Sequence, residues 1–185
     1  YGAGASPFKH QDTLKKVDAP GKFHPEEWQT AFHEKHWEQL KARPFIWNKI
    51  IWVLTDFGSS IRTEGDNDGI NDKGLVTYDR KIKKDAFYFY KANWNPEPMI
   101  YISERRNTER KRATTSVKIY ANQPSPVELW VNDKKISSKT KNELNIIIWE
   151  NIALQDGRNS IKIKSKIKGK VLEDACEWNV TAGGK

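Results

Sequence analysis

Residues Ile50–Phe57 read IIWVLTDF, residues Glu64–Val76 read EGDNDGINDKGLV, and residues Lys84–Trp94 read KDAFYFYKANW. The first run is apolar without alternation around its centre, which is typical of a strand buried in a parallel sheet. The second is polar and punctuated by glycines, as in a loop, and the third has the aromatic content of a packed helix. A strand, a long polar loop and a helix in this order indicate one βα unit.

This βα unit predicts where a functional site would lie. In a (β/α)8 barrel, the C-terminal ends of the strands and the loops after them build the active site. Trp52 and Asp56 stand near the end of the predicted strand, while Asn71 and Lys73 lie two residues apart in the loop. An aromatic ring, a carboxylate, an amide and an ammonium in these places are candidates for binding a polar ligand.

The order and amino-acid sequence of these segments resemble the end of the catalytic barrel in glycoside hydrolase family 2, the β-galactosidase and β-glucuronidase family. Tyr1–Ala5 (YGAGA) resembles the residues that come directly after the nucleophilic Glu in the family's Glu-Tyr-Gly motif. The resemblance implies a retaining mechanism with two glutamates, with the nucleophile immediately before Tyr1 and the acid/base on an earlier strand. No catalytic residue is then expected within the chain, which would be an inactive C-terminal portion of a longer enzyme.

Five residues are candidates for binding the substrate, and for Trp52, Asn71 and Lys73 the resemblance implies the role. Trp52 would stack on the sugar, although a Trp in mid-strand is ordinarily a core residue. Asn71 and Lys73 resemble the Asn-x-Lys-Gly element with which β-glucuronidases bind the sugar carboxylate, and the alternative for Lys73 is a loop-to-helix salt bridge. Asp56 would accept bonds from sugar hydroxyls, cap the loop or pair with Arg62, the fifth candidate. Because the flanking sequence looks more like bacterial β-galactosidases, we rank β-galactosidase first and β-glucuronidase second.

Two prolines within Asn95–Pro98 predict a boundary between two domains. Residues 1–97 are expected to form the C-terminal remnant of a TIM barrel, with helices at 25–41 and 82–94 and a loop at 58–80. Residues 98–185 show short alternating runs with regular turns, which predict an immunoglobulin-like β-sandwich. Six strands are expected, at Met99–Ser103, Ser116–Ala121, Val127–Asn132, Leu144–Ile152, Asn159–Ile167 and Val171–Val180. The charged run Arg105–Arg112 is expected to be a solvent-exposed loop.

Composition narrows the classes of partner. The chain is 37% hydrophobic and carries a net charge of +8, most of it in residues 98–185. The lysines of Lys162–Lys170 alternate with mostly apolar residues, which favours the solvated face of a strand over a nucleic-acid surface. No apolar run reaches the length of a membrane span. The competing class is a non-catalytic carbohydrate-binding or interaction module, with stacking faces on Trp28, Trp37, Trp47, Trp94, Trp130, Trp149 and Trp178.

No metal or other cofactor is expected. Glu64–Gly69 has the ligand spacing of a calcium loop, but Leu75 stands where the bidentate Glu should be. The histidines of His33–His36 are three residues apart with no further ligand nearby, and we interpret them as packing or surface residues. The expected partners are a carbohydrate substrate and the upstream part of the barrel. Both helices would otherwise expose apolar stripes, which would favour self-association; on the first helix the stripe comprises Trp28, Ala31, Phe32, Trp37 and Leu40.

Overall fold

The computed structural model describes residues 1–181 and consists mostly of strands, with two helices in that range. It separates into two compact units, Tyr1–Phe89 and Tyr90–Lys185. The division falls earlier than the boundary expected near residue 97, which stays a prediction. Residues 182–185, the end of the predicted sandwich, lie outside the described part of the chain.

The first unit holds helix α1 (Glu26–Lys41) and the start of helix α2 (Asp85–Trp94). Helix α1 has Pro25 at its N-cap, so the predicted helix is confirmed with its start and end. Two short strands, β1 (Phe57–Gly58) and β2 (Ile70–Asn71), pair antiparallel within the region expected to be a loop. The remaining backbone of this unit is largely irregular.

The expectation of a buried strand over Ile50–Phe57 is wrong for most of its length. Only Phe57 belongs to a strand, and the side chains of Ile50, Trp52 and Leu54 are 65%, 52% and 61% exposed. A parallel strand is buried when layers cover both of its faces. Residues 1–181 do not supply those layers here, so the apolar side chains stay in contact with solvent.

Helix α1 also packs differently from the prediction. Its buried side is polar and includes Gln29, Thr30 and His33. The predicted apolar stripe is only partly covered, since Trp28 and Phe32 on it are half-buried. The helix is therefore held by hydrogen-bonding side chains on its inner face, and apolar burial contributes less than its sequence pattern suggested.

The second unit contains two antiparallel-rich sheets that enclose one core. The strands are β3 (Ile100–Ile102), β4 (Glu109–Arg110), β5 (Thr114–Ala121), β6 (Val127–Val131), β7 (Lys134–Lys139), β8 (Ile146–Ala153), β9 (Gly157–Ile167) and β10 (Lys170–Val180). One sheet has the order β4-β10-β9-β6-β7 and the other β3-β5-β8. All six predicted strands are present, and the sequence analysis missed β4 and β7. The two-layer sandwich is thus observed, and its immunoglobulin-like class stays a prediction.

Alternation places the sandwich core. On β9, Ile161 and Ile163 are fully buried among apolar residues of both sheets, whereas Lys162 and Lys164 lie on the other face. Lys164 pairs with Glu173 of β10 at 2.7 Å. The interpretation as one face of a two-sided strand is therefore confirmed for Lys162, Lys164 and Lys166, while Lys168 lies in the turn before β10.

The expected solvent loop Arg105–Arg112 is wrong in one respect. Arg110 is 3% exposed, its guanidinium lies 4.1 Å from the centre of the Trp178 ring, and it donates to Glu104 O at 3.1 Å. Strand β4, which contains Arg110, pairs in parallel with β10. The sequence did not indicate the burial of Arg110, because a run of charged residues does not show which cation packs on a distant aromatic ring.

Candidate functional site

Three segments of the first unit meet at the predicted site. The backbone N–H of Trp52 donates to Tyr1 O at 2.8 Å, and the N–H of Val53 donates to Lys73 O at 3.4 Å. Further along, Leu75 N–H donates to Val53 O at 3.0 Å. The segment around Trp52 thus lies between the start of the chain and the loop that carries Lys73. Three candidates that are separate in sequence, Trp52, Asn71 and Lys73, are brought into one region.

Trp52 and Lys73 are the partly exposed candidates at this place. Trp52 is 52% exposed and makes an edge-to-face contact with Phe57, at 5.8 Å between ring centres. Lys73 is half-buried, and its side chain forms no salt bridge within residues 1–181, so the loop-to-helix alternative is not observed. Asn71 is 5% exposed and accepts a hydrogen bond from Lys73 N–H at 3.2 Å. Asn71 therefore shapes the turn from which Lys73 projects.

A buried lysine that the sequence analysis missed lies beneath this loop. Lys84 has no exposed surface, and its ammonium donates to Ala5 O at 2.7 Å, to Asp56 Oδ1 at 2.9 Å and to Asp72 O at 2.9 Å. Asp56 Oδ1 also accepts from Gly74 N–H at 2.7 Å. All three N–H donors of the ammonium are thereby used, which is what a buried charge requires.

The placement of Asp56 decides among its three predicted roles. It is 8% exposed instead of facing solvent, it caps the loop through Gly74, and its charged partner is Lys84. Arg62 pairs with Glu64, so the alternative in which Arg62 pairs with Asp56 is not observed. The Asp56 carboxylate points inward to the Lys84 ammonium, so it lies beneath the surface that carries Trp52.

Burial shifts the ionisation of this pair in opposite directions. Removal from water raises the pKa of Asp56 to about 6, against the attraction of Lys84. It also lowers the pKa of Lys84, against the attraction of Asp56. The contact between the two charges opposes both shifts, so each group depends on the other to remain ionised.

A second buried pair holds the same loop from another side. His24 Nδ1 lies 2.6 Å from Asp72 Oδ2, and His24 Nε2 lies 3.1 Å from Ala19 O. The hydrogen bond to Asp72 raises the pKa of His24, with burial acting against it. Gly4 passes close by, and a Cβ there would lie 2.5 Å from Asp72 Oδ1. The close approach explains why this position needs glycine.

A cavity of about 360 Å³ adjoins the network. Its lining includes Asp56 and Asp72 together with Phe8 and Tyr78, but none of Trp52, Asn71 or Lys73. Trp52 and Lys73 therefore lie outside this cavity, while Asn71 is buried and Asp56 contributes to the cavity wall. No group of His, Cys, Asp or Glu side chains in residues 1–181 is arranged to hold a metal ion.

The tryptophans differ widely in exposure. Trp149 and Trp178 are 2% and 1% exposed in the sandwich core, so they offer no stacking surface. Trp47 is 90% exposed and Trp94 is 51% exposed, in different units. This distribution weakens the interpretation as a carbohydrate-binding module. Among the described residues, neither helix has the length and apolar character needed to cross a bilayer.

Comparison with known proteins places the chain beside glycoside hydrolases. It is 44% identical over 175 residues to a β-glucuronidase of Bacteroides fragilis, covering 94% of this chain and 25% of that protein. A solved structure from Bacteroides fragilis, provisionally named a β-galactosidase, matches with a TM-score of 0.92 and 36% identity. The match covers 100% of this chain and 28% of that one.

A second solved structure supports the same class. The FMN-binding β-glucuronidase of Faecalibacterium prausnitzii L2-6 has a TM-score of 0.86 and 33% identity, over 99% of this chain and 26% of that one. No family model matches the sequence. The chain is therefore homologous to part of glycoside hydrolases named β-glucuronidase or β-galactosidase, and it spans about a quarter of their length.

Proposed function

We propose that this chain is the C-terminal portion of a retaining β-glycosidase of glycoside hydrolase family 2. Within that class, we propose that the complete enzyme is a β-glucuronidase. The observation that carries the choice is Lys73, which has no carboxylate partner within residues 1–181 and whose backbone O accepts from Val53 N–H, the residue after Trp52. A cation without a carboxylate partner, on a loop that bonds the segment of an exposed aromatic ring, suits a sugar that carries a carboxylate. The names of the curated relatives support this order.

The start of the chain supports the position proposed for the nucleophile. The nitrogen of Tyr1 lies 3.1 Å from Ile50 O, and Tyr1 O accepts from Trp52 N–H. A Glu immediately before Tyr1 would thus begin beside the segment that carries Trp52. In a retaining glycosidase this carboxylate would attack the anomeric carbon, while an acid/base Glu from the upstream part protonates the leaving group.

The roles of the chain's own residues follow from their placement. Trp52 would stack on the apolar face of the sugar, Lys73 would bind its carboxylate, and Asn71 would hold the turn that aims Lys73. Asp56 lies inside the network, so its proposed contribution is to support the loop through Gly74. Arg62, paired with Glu64, is a weaker candidate for substrate contact.

The upstream part of the barrel is also the proposed partner of the exposed apolar surface. Ile50, Leu54 and Ile61 are 65%, 61% and 90% exposed, and apolar surface of this kind marks a site of interaction when it is contiguous. Packing against the upstream strands would remove them from water. Self-association through the same surface is the competing explanation.

β-Galactosidase is the second candidate here, although the sequence flanking Asn71 and Lys73 alone ranked it first. The structural match with a TM-score of 0.92 to a protein provisionally named a β-galactosidase favours it. In that case Lys73 would contribute to neutral hydroxyl binding, or to loop structure, and the loss of Lys73 would affect galactosides as much as glucuronides.

The test uses the protein completed with its upstream reading frame. We expect the residue before Tyr1 to be Glu, and the complete protein to hydrolyse 4-nitrophenyl β-glucuronide with retention of the anomeric configuration, followed by NMR. The 185-residue chain alone should be inactive, and Glu→Gln before Tyr1 should abolish turnover in the complete protein. Inversion, or turnover by the isolated chain, would refute the proposal.

A further inference from the structure

The loop Asn71–Gly74 is held by hydrogen bonds to buried groups of other segments. Asp72 O accepts from Ala5 N–H at 3.1 Å and from the Lys84 ammonium at 2.9 Å. Gly74 N–H donates to Asp56 Oδ1 at 2.7 Å, and Gly74 O accepts from Gln29 Nε2 at 3.1 Å. Side chains distant in sequence thus hold the loop at both ends.

Lys84 is the point at which these contacts converge. Its ammonium joins the segment after Tyr1 through Ala5, the end of the Trp52 segment through Asp56, and the loop through Asp72. Its backbone N–H also donates to Leu75 O at 2.8 Å. An apolar residue of the same length could fill this space, but it could not bond three backbone and carboxylate oxygens at once.

Burying the Lys84 ammonium with Asp56 costs desolvation free energy that an apolar side chain in the same place would not. A buried ion pair is often no more stabilising than well-packed apolar side chains of similar volume. A lysine ammonium, unlike a methyl group, sets the distance and direction of each oxygen that it bonds. Geometric control of the three segments therefore gives a reason for its presence that simple filling of space does not.

We propose that Lys84 is a positioning residue that sets the Asn71–Gly74 loop, and with it Lys73, against the segment directly after the nucleophile; this rests on the proposed function of Lys73. Lys84 has no exposed surface and does not touch the substrate. It acts through Asp72 and through Asp56, which in turn bonds Gly74. Its loss would leave Lys73 present but misplaced.

The first arm of the test measures activity in the complete enzyme. Lys84→Met is combined with Asp56→Asn, so that no unpaired charge remains buried while the Asn oxygen can still accept from Gly74. We expect kcat/KM for a glucuronide to fall by about tenfold or more, equivalent to one pKa unit of interaction, with the urea midpoint near that of the parent. Lys83→Met, which changes the exposed neighbouring lysine, is the matched control and should leave kcat/KM unchanged.

The second arm separates positioning from a general structural role. In a Lys73→Ala background the paired change at Lys84 and Asp56 should cost at most about threefold in kcat/KM, since the group that it positions is already gone. A full second tenfold loss would show that Lys84 does not act through Lys73. An unchanged kcat/KM in a folded paired variant would equally overturn the proposal.

Hydrogen exchange distinguishes failure of this inference from failure of the proposed function. In the paired variant the amides of Ala5 and Gly74 should exchange about tenfold faster or more, while sandwich amides are unaffected. Faster exchange in a protein whose parent has no glycosidase activity would refute the function and keep the structural role. If the parent is active but the Ala5 and Gly74 amides of the paired variant exchange at the parental rate, the positioning role alone is refuted.

Discussion

Residues 90–181 bury an apolar core between two sheets, whereas the centre of residues 1–89 is largely charged and polar. Ile161, Ile163 and Leu129 are fully buried in the sandwich. In the first unit the fully or nearly fully buried side chains include Lys84 and Gln29 instead. The aliphatic residue Ile61 of that unit is 90% exposed. The two regions therefore distribute polar and apolar groups in opposite ways.

The difference shows which region carries its own stability. Apolar burial is the main favourable term in folding, and the sandwich obtains it from its own residues. A buried polar network must be fully satisfied to avoid a penalty, and it contributes geometry more than free energy. A unit with such a centre and an apolar outside is suited to be one part of a larger body that supplies the remaining apolar contacts.

The largest expected effect comes from separating the two regions. Residues 90–185 expressed alone should fold, with cooperative urea unfolding and a near-UV circular dichroism spectrum from buried tryptophans, because their core is complete. Residues 1–89 alone should bind a hydrophobic dye and lack a cooperative transition. The comparison fails if residues 1–89 unfold cooperatively and residues 90–185 do not.

A pair of isoleucines tests the same contrast at single-residue resolution. Ile163→Ala removes a fully buried side chain and should lower the free energy of unfolding by about 2–5 kcal/mol. Ile61→Ala, at 90% exposure, should change it by less than about 0.5 kcal/mol in the 185-residue chain. Urea unfolding of the two variants measures both. Equal losses would mean that Ile61 is buried in solution.

Sequence reasoning succeeded where the pattern was local. From Ile161 to Ile167, lysines alternate with mostly apolar residues. This two-residue period alone assigned the two faces of β9. Strand β7 carries no such alternation, and it forms because the turn at Asn132 and Asp133, both with positive φ, folds it back onto β6. Positive φ at both central residues suits a tight hairpin, in which pairing overrides a weak strand sequence.

Sequence reasoning failed where the partners were distant. Trp52 and Lys73 were identified through resemblance, and the structure brings their segments together. Lys84 had no local signal, because the oxygens that it bonds belong to Ala5, Asp56 and Asp72. The apolar run at Ile50–Phe57 predicted a buried strand, but burial depends on covering layers that a local pattern does not report.

A smaller effect is expected from pH, and it arises in the polar region. The hydrogen bond to Asp72 raises the pKa of His24 above 6.5. Burial lowers the pKa of His10, but its contacts with Glu27 outweigh that effect and raise it. A histidine with a raised folded pKa stabilises fully below 6.5, and this contribution is lost as pH rises through the folded pKa. The free energy of unfolding should therefore fall from pH 6.5 upward.

His33 does not reverse this trend. Burial lowers its pKa to about 3, so it contributes stability above 6.5 that is lost only as pH falls. Replacing His24 with Gln should flatten the decline above pH 6.5, while a surface change such as Lys83→Met should not. Denaturant titrations at several pH values measure the slope. An unchanged slope in His24→Gln would remove His24 from the explanation.

The most direct test of the whole account is the substrate preference of the complete enzyme with and without Lys73. We predict that the parent prefers a β-glucuronide, and that Lys73→Ala costs about 1.5–3 kcal/mol of transition-state binding on it, the usual value of a charged hydrogen bond. The loss on the matching β-galactoside should be much smaller, and Lys83→Ala should affect neither. A parent that prefers the galactoside, or equal losses on the two substrates, would contradict the role of Lys73 as the carboxylate-binding residue.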